Sequence, residues 1–276
     1  KKLKILLMKP NSEADELIPP FGLGYLATAV RNDHEVEILD GIKEKLSLEE
    51  FERILKKENY DVIGIQIFTF HINKAKDYIK IIKKVNPEIK IILGGPHPSC
   101  DPQNIFKYFP EIDFAFKGEA EEGLPKLLVV ISKEKNQKIS KNLFYDIPGL
   151  IFRDENGKTI VNNPSFVENL DAFGLPSWDL LKPNTYPLSP HGAFFKNYPI
   201  APIIITRGCP YGCAYCAGPI ISGKKIRKRS IDNVIEEIKL LYYEYGIREI
   251  HIEDDNFTLY NDLVKEFSYK LKENNL

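Results

Sequence analysis

The sequence predicts an α/β protein, a doubly wound parallel sheet followed by a second, shorter run of strand–helix units. Three observations carry this reading. Over about the first 130 residues, short apolar runs alternate with longer amphipathic helical patterns, the rhythm of strands joined by crossover helices. The rhythm breaks over residues 134–199, and it restarts at Ile200.

The expected strands of the first unit are Leu3–Met8, Glu35–Leu39, Val62–Ile67, Ile89–Leu93 and Asp113–Phe116. The opening stretch "KKLKILLMKP" is basic then apolar, but it is too short for a signal peptide and ends in Lys-Pro, so it reads as a buried strand. The helices between are expected over Gly22–Asn32, Leu48–Glu58, Asn73–Val85, Pro102–Tyr108 and Glu121–Lys133. Ser47, with Glu50 three residues on, marks a capped helix start. In such sheets a ligand crevice forms at the carboxyl ends of the strands. Next, "PGLIFRDENGKTIVNNP" reads as a hairpin turning at Glu155-Asn156-Gly157. The Pro-rich "LPSWDLLKPNTYPLSPHGAFFKNYP" is weakly periodic and has the composition of a connector packed on a surface. After it come the strand "PIIIT", a cysteine loop, the helix "SIDNVIEEIKLLYYEYG", the strand "REIHIED" and the helix "LVKEFSYKLKEN". In the first of these helices Ser230 is the expected N-cap, Gly246 the C′ residue, and Glu237 and Lys239 the outward face. The expected division is therefore 1–133, a connector with a hairpin over 134–199, and 200–276.

Composition excludes several classes. The 276 residues carry 38 basic and 39 acidic side chains, net −1, which offers no electrostatic basis for binding nucleic acid or an anionic membrane. The longest apolar runs fall far short of the roughly 20 residues of a spanning helix. The four cysteines are few, three of them clustered, which argues against a secreted disulfide scaffold and for a reducing, cytoplasmic setting.

The cluster is "RGCPYGCAYC", with Cys209, Cys213 and Cys216 in a loop leaving a strand's carboxyl end, where α/β enzymes place chemistry. Thiolates suit an iron–sulfur cubane, and three of them on four irons leave one iron open for a substrate or cofactor. A zinc site completed by a distant His, or loop thiols with no metal, remain the alternatives on spacing alone. Downstream, "GKKIRKRS" holds five basic residues, read either as a solvated loop, as a grip on a carboxylate by Arg227 or Arg229, or as a dock for an acidic electron donor.

The C-x3-C-x2-C spacing, with Tyr215 just before the last cysteine, resembles the radical S-adenosyl-L-methionine (AdoMet) superfamily. The resemblance implies a partial TIM-type barrel over 200–276, with a 4Fe–4S cluster on Cys209, Cys213 and Cys216. It further implies AdoMet on the open iron, adenine near the backbone of Tyr215, and the methionine amine near Asp254 and Asp255, with less weight on Glu253, in "IEDDNFT". The amino-terminal unit resembles, in order, the Rossmann-like cobalamin-binding domain that precedes the barrel in one branch of that superfamily. The matching stretches are "PPFGLGYLA", "VIGIQIFTF", "IILGGPHPS" and "DFAFKGEAEEGLPKLL". By that resemblance Gln66, Phe68, Gly94, Gly95 and Pro96 line the cobalamin site, with Gln66 where the wider family has a small hydroxyl residue; His97 and Cys100 read as loop residues. The stretch "MKPNSEADEL" lacks the His that ligates cobalt in many such domains, so the lower face of cobalt is expected to have no imidazole from it.

The implied activity is a cobalamin-dependent radical AdoMet enzyme, a methyltransferase acting on an unactivated carbon of a small molecule or peptide. Its electrons would come from a donor such as flavodoxin or ferredoxin. A radical cyclase or rearrangement enzyme that holds cobalamin, or a cobalamin-binding module with a vestigial cluster loop, are the rivals. Two strand–helix units cannot close a barrel, so residues 200–276 are expected to expose a parallel edge that dimerises, loosens, or is shielded by the connector.

Overall fold

The computed structural model describes residues 2–12, 17–134, 140–188 and 194–276. The first unit runs β1 (Lys4–Lys9), α1 (Phe21–Val30), β2 (Glu35–Asp40), α2 (Leu48–Lys57), β3 (Val62–Gln66), α3 (Ile72–Val85), β4 (Lys90–Gly94), α4 (Pro96–Cys100), α5 (Ile105–Tyr108), β5 (Phe114–Phe116) and α6 (Gly123–Glu134). Strands β6 (Leu150–Arg153) and β7 (Thr159–Val161) complete a seven-stranded sheet of order β2-β1-β3-β4-β5-β6-β7. The first five strands are parallel. The chain reverses direction across the sheet between β1 and β3, and that switch point opens a crevice at their carboxyl ends.

Helices cover both faces of the sheet, so oppositely facing neighbours along β1, β3, β4 and β5 are mostly apolar. Leu6, Met8, Ile63 and Ile65 face one core layer, packed with Phe51 and Leu55 of α2 and with Tyr78 and Ile79 of α3. Ile5, Leu7 and Val62 face the other, packed with Leu23 and Ala27 of α1 and with Leu124, Leu127 and Leu128 of α6. The Ser47 cap is present, its hydroxyl accepting the Glu50 N–H at 3.1 Å. The expected fourth helix divides into a 3-10 turn, Pro102–Asn104, and the short α5.

The hairpin forms where expected, with Gly157 at a φ of 79° in its turn. It does not stand apart from the first unit: β6 lies antiparallel on β5 (Ala115↔Ile151, Phe116↔Leu150). Ile151 and Phe152 enter the two core layers in turn. The Pro-rich stretch packs on both units. Its helix α7 (Trp178–Leu181) drives Trp178, 1% exposed, into the core of the second unit. The same helix seats on α1, with the Ser177 N–H on the Gly24 carbonyl (3.1 Å) and Arg31 forked onto Asp179 (2.7 Å twice).

The second unit comprises β8 (Ile200–Ile203), β9 (Thr206–Arg207), α8 (Gly218–Ile221), β10 (Arg227–Lys228), α9 (Ile231–Tyr245), β11 (Glu249–Ile252) and α10 (Asn261–Glu273). β8 and β11 pair in parallel across α9, which is capped as expected by Ser230 and ends on Gly246 at a φ of 67°. Glu237 reverses its expectation. It is fully buried, accepts the Trp178 indole N–H at 2.9 Å and pairs with Arg229, because α7 covers the helix face that the sequence pattern leaves to solvent. Burial pushes its carboxyl pKa up, against the opposing pull of Arg229.

His34, His71 and His97 are each less than a tenth exposed. Burial pushes all three imidazoles below their ordinary value, His71 to about 4 with Lys9 adding to the effect. Neutral His71 accepts the Phe68 N–H through Nδ1 at 3.3 Å. The unfolded chain takes up these protons near pH 6.5 while the folded one does not, so stability present above that pH is lost as pH falls toward 4. The thermal midpoint should therefore drop between pH 7 and pH 4.5, and His71→Gln should flatten that slope, as read by circular dichroism melts; an unchanged slope counts against His71 as a source.

Candidate functional site

One cavity joins the two units. About 1090 Å³ of space lies within its bounds, open solvent at the mouth included, and Leu7, Leu23, Ile92 and Phe116 are among its apolar lining. Its floor is the row of carboxyl ends of β3, β4 and β5, with Gln66, Gly94 and Gly95 among the lining residues. One wall is the amino-terminal half of α1; the other is built from Thr206, Arg207, Ile221, Glu253 and Asp255 of the second unit.

The two glycines do different work. Gly95 has a φ of 97°, which turns the chain from β4 into α4, and a Cβ there would lie 3.0 Å from the Ile67 carbonyl. A Cβ on Gly94 would meet nothing within 4 Å, so the missing side chain leaves open space at the cavity floor. Pro96 starts α4, and Phe68 stacks on Phe70 (centroids 5.5 Å apart); both lie off this wall. His97 is buried in α4 rather than in a loop, and Cys100 at the end of α4 is exposed. The stretch "MKPNSEADEL" includes residues 13–16, which lie outside the described residues.

Residues 208–226 form the cysteine loop, closed at its base by β9 and β10 in antiparallel register (Arg207↔Arg227). Cys209, Cys213 and Cys216 are free thiols, the first half-buried and the others exposed. The Cys209 N–H donates to the Gly223 carbonyl (3.1 Å), and the Cys216 sulfur accepts the Gly218 N–H (3.3 Å). Among the described residues, no three His, Cys, Asp or Glu side chains converge at metal-binding distance, so the loop supplies the donor set but not a closed cage. Three unpaired thiols on one loop with a sulfur-directed N–H suit an iron–sulfur cluster better than a hard cation. Tyr215 is 93% exposed.

The acidic run after β11 separates by period two. Glu253 and Asp255 face the cavity, and Asp255 sits against Gly218, where a Cβ would fall 3.1 Å from its carboxylate. Asp254 turns the other way. It accepts the N–H groups of Ile205 (2.7 Å) and Thr206 (2.8 Å) and the Thr206 hydroxyl (2.7 Å), bracketing the exit of β8. Burial raises the pKa of both aspartates, and for Asp254 the donated hydrogen bonds oppose it. Arg227 and Arg229 of the basic stretch are not solvated: both are 3% exposed and paired, with Glu119 and Glu237.

Sequence reasoning passed over Glu119, Glu121 and Arg207, which line the same cavity. The Arg207 guanidinium lies over the Tyr25 ring (4.9 Å) and on Glu121 (2.7 Å). Burial opposes its charge, but Glu121 and Glu119 hold its pKa above the ordinary value. The available signal was an acidic run directly after a strand end, in a chain whose cysteines are flanked by arginines.

This arrangement agrees with comparison to known proteins. Residues 11–128 match the B12 binding domain and residues 203–275 the Radical SAM superfamily, so the chain belongs to the proteins in which a B12-binding domain precedes a radical SAM domain. It is 34% identical over 284 residues to an uncharacterized methyltransferase of Pyrococcus horikoshii, covering 100% of this chain and 58% of that protein. It is 25% identical over 278 residues to an anaerobic magnesium-protoporphyrin IX monomethyl ester cyclase of Rubrivivax gelatinosus, covering 98% and 48%. The fold matches the radical S-adenosylmethionine methyltransferase TsrM of Kitasatospora setae, solved with tryptophan and a SAM analog (TM-score 0.73, 20% identity) and with cobalamin and a [4Fe-4S] cluster (TM-score 0.72, 21%); each match covers 98% of this chain and 51% of that one. The chain thus spans about half the length of these relatives. No helix among the described residues is long and apolar enough to cross a membrane.

The division of labour among the acids is testable by melting. Asp254→Ala removes the acceptor of two backbone N–H groups, one of them on fully buried Ile205, and should destabilise the second unit by about 1–3 kcal/mol. Asp255→Ala should change the melting midpoint little, and equal losses would contradict the bracket role.

Proposed function

We propose that the chain holds cobalamin over the floor formed by Gly94 and Gly95, carries a 4Fe–4S cluster on Cys209, Cys213 and Cys216 with AdoMet on the open iron, and forms part of a methyltransferase. The observation that carries this is the single cavity onto which both the strand ends of the B12-binding unit and the cysteine-loop unit open. Gly94 leaves room for a flat macrocycle at the backbone, and Gln66 offers it an amide at the same floor. Asp255 and Glu253 offer carboxylates to an amine beside the cysteine loop. Leu7, Leu23 and Leu26 would shield a bound group from water on the side of the first unit. When bound, the reduced cluster and AdoMet supply a carbon radical and cobalamin supplies a methyl group, while the protein orients and shields them.

A methyltransferase relative at 34% identity favours methyl transfer; the cyclase at 25% keeps ring closure as the second reading. TsrM bound to tryptophan supports a small-molecule substrate class. The reading also places the protein in the cytoplasm, served by a flavodoxin- or ferredoxin-type electron donor.

Anaerobic reconstitution tests the assignment. Cysteine-to-alanine changes at 209, 213 or 216 should each abolish the iron–sulfur absorbance at roughly 400 nm, because a cubane on two thiolates is labile, and Cys100→Ala should leave it intact. Equal loss from Cys100→Ala would remove the open iron. For cobalamin, Gly94→Leu is the discriminating change: it fills open space without backbone strain, whereas substitution at Gly95 strains the chain whether or not a ligand binds there. Gly94→Leu should lower hydroxocobalamin affinity at least about tenfold; full affinity would move the site elsewhere.

A further inference from the structure

The base of the cysteine loop carries four charges that the cofactor assignment leaves unused. Arg207 and Arg227 stand directly opposite each other across the β9–β10 ladder, where like charges repel. Two carboxylates from the other unit resolve this. Glu119 forks onto Arg227, with Oε2 at 2.8 Å from Nη1 and Oε1 at 2.5 Å from Nη2, and its Oε1 lies 3.6 Å from Arg207. Glu121 takes Arg207 at 2.7 Å. All four side chains are 10% exposed or less, so the group is a buried, neutral quartet of two acids and two bases. Arg227 donates further to the Val167 carbonyl (3.1 Å) and the Ser222 carbonyl (2.8 Å), tying in the connector and the loop itself.

The quartet connects to the cavity floor. Glu119 follows Gly118, whose N–H donates to the Ser99 hydroxyl (3.0 Å), and that hydroxyl donates to the Gly95 carbonyl (2.8 Å). An unbroken series of contacts therefore leads from Gly95 through Ser99 and Gly118 to Glu119, and from Glu119 to Arg227 and Arg207, the two residues that close the cysteine loop. Well-packed apolar side chains would hold such an interface at least as tightly, so stability is not what recommends buried charges. A planar fork fixes direction as well as distance, and a lysine or an apolar contact would not.

We propose that Glu119 and Arg227, completed by Arg207 and Glu121, are a positioning clasp that sets the cysteine loop over the glycine floor, and so sets the separation and tilt of cluster and cobalamin. The second half of this rests on the cofactor reading above; the first half does not.

Two measurements on the full chain separate them. The first is hydrogen exchange on the cofactor-free protein. Glu119→Gln should speed exchange over residues 208–226 at least about tenfold while β1, β3 and β4 keep their protection, because Arg207 and Arg227 then face each other with one carboxylate between them. Arg227→Lys, which keeps the charge and loses the fork, should move exchange the same way by less, and Glu119→Arg with Arg227→Glu should restore part of the protection. The second is spin resonance on protein loaded with cobalamin and cluster: coupling between Co(II) and the reduced cluster should weaken in Glu119→Gln while iron and cobalt contents stay at wild-type levels, a signature that a loss of folding alone would not produce. Unchanged exchange in Glu119→Gln overturns the clasp, and altered exchange with unchanged coupling overturns its role in placing the cofactors. Should Glu119→Gln fail to fold, Arg227→Lys and Glu119→Asp are judged by the same two readouts. Wild-type protein that takes up neither cobalamin nor iron would refute the cofactor reading, and the exchange result would then decide the clasp by itself.

Discussion

A parallel sheet covered by helices on both faces leaves one place for a large ligand, the row of strand ends, and the rest of this molecule is arranged around that constraint. β1 to β5 bury apolar side chains on both faces, so neither face is free for a cofactor. The carboxyl ends remain. There the chain removes side chains at Gly94 and Gly95 and brings the second unit down as a wall. The connector performs this placement by inserting Trp178 into the core of one unit while hydrogen bonding α1 of the other.

Charge is handled the same way throughout. The chain is nearly neutral overall, and three buried arginines are matched locally: Arg229 by Glu237, and Arg207 and Arg227 by Glu121 and Glu119. An ion buried without such a partner would cost several kcal/mol. These pairs lie where the units meet, so the interface is specified by geometry as well as by apolar area.

The sheet was legible because its physics is local. Continuous apolar runs, caps such as Ser47 and Ser230, and the Gly246 stop act within a few residues, and the observed elements follow them closely. The cysteine loop was legible for the same reason. What the sequence concealed depends on contacts between distant segments. Glu237 and Arg229 look like solvent-facing charges until α7 is laid over them, and the hairpin looks independent until β5 offers it an edge. Asp254 and Asp255 are neighbours in the chain just past β11, yet one turns to the backbone and the other to the cavity. Glu119 carries no local signal of its partner 108 residues away.

The short ladder of β9 and β10 has a consequence for assembly. By pairing Arg207 with Arg227 it fastens the two ends of the 208–226 segment through the backbone itself. The entropy of bringing those ends together, which grows with the logarithm of loop length, is thus borne by protein folding and not by metal binding. In a small zinc domain, by contrast, the ion itself must organise the chain. Here an incoming cluster would need to order only the interior of a loop whose ends are already fixed, which separates the folding of the polypeptide from the maturation of its metal centre.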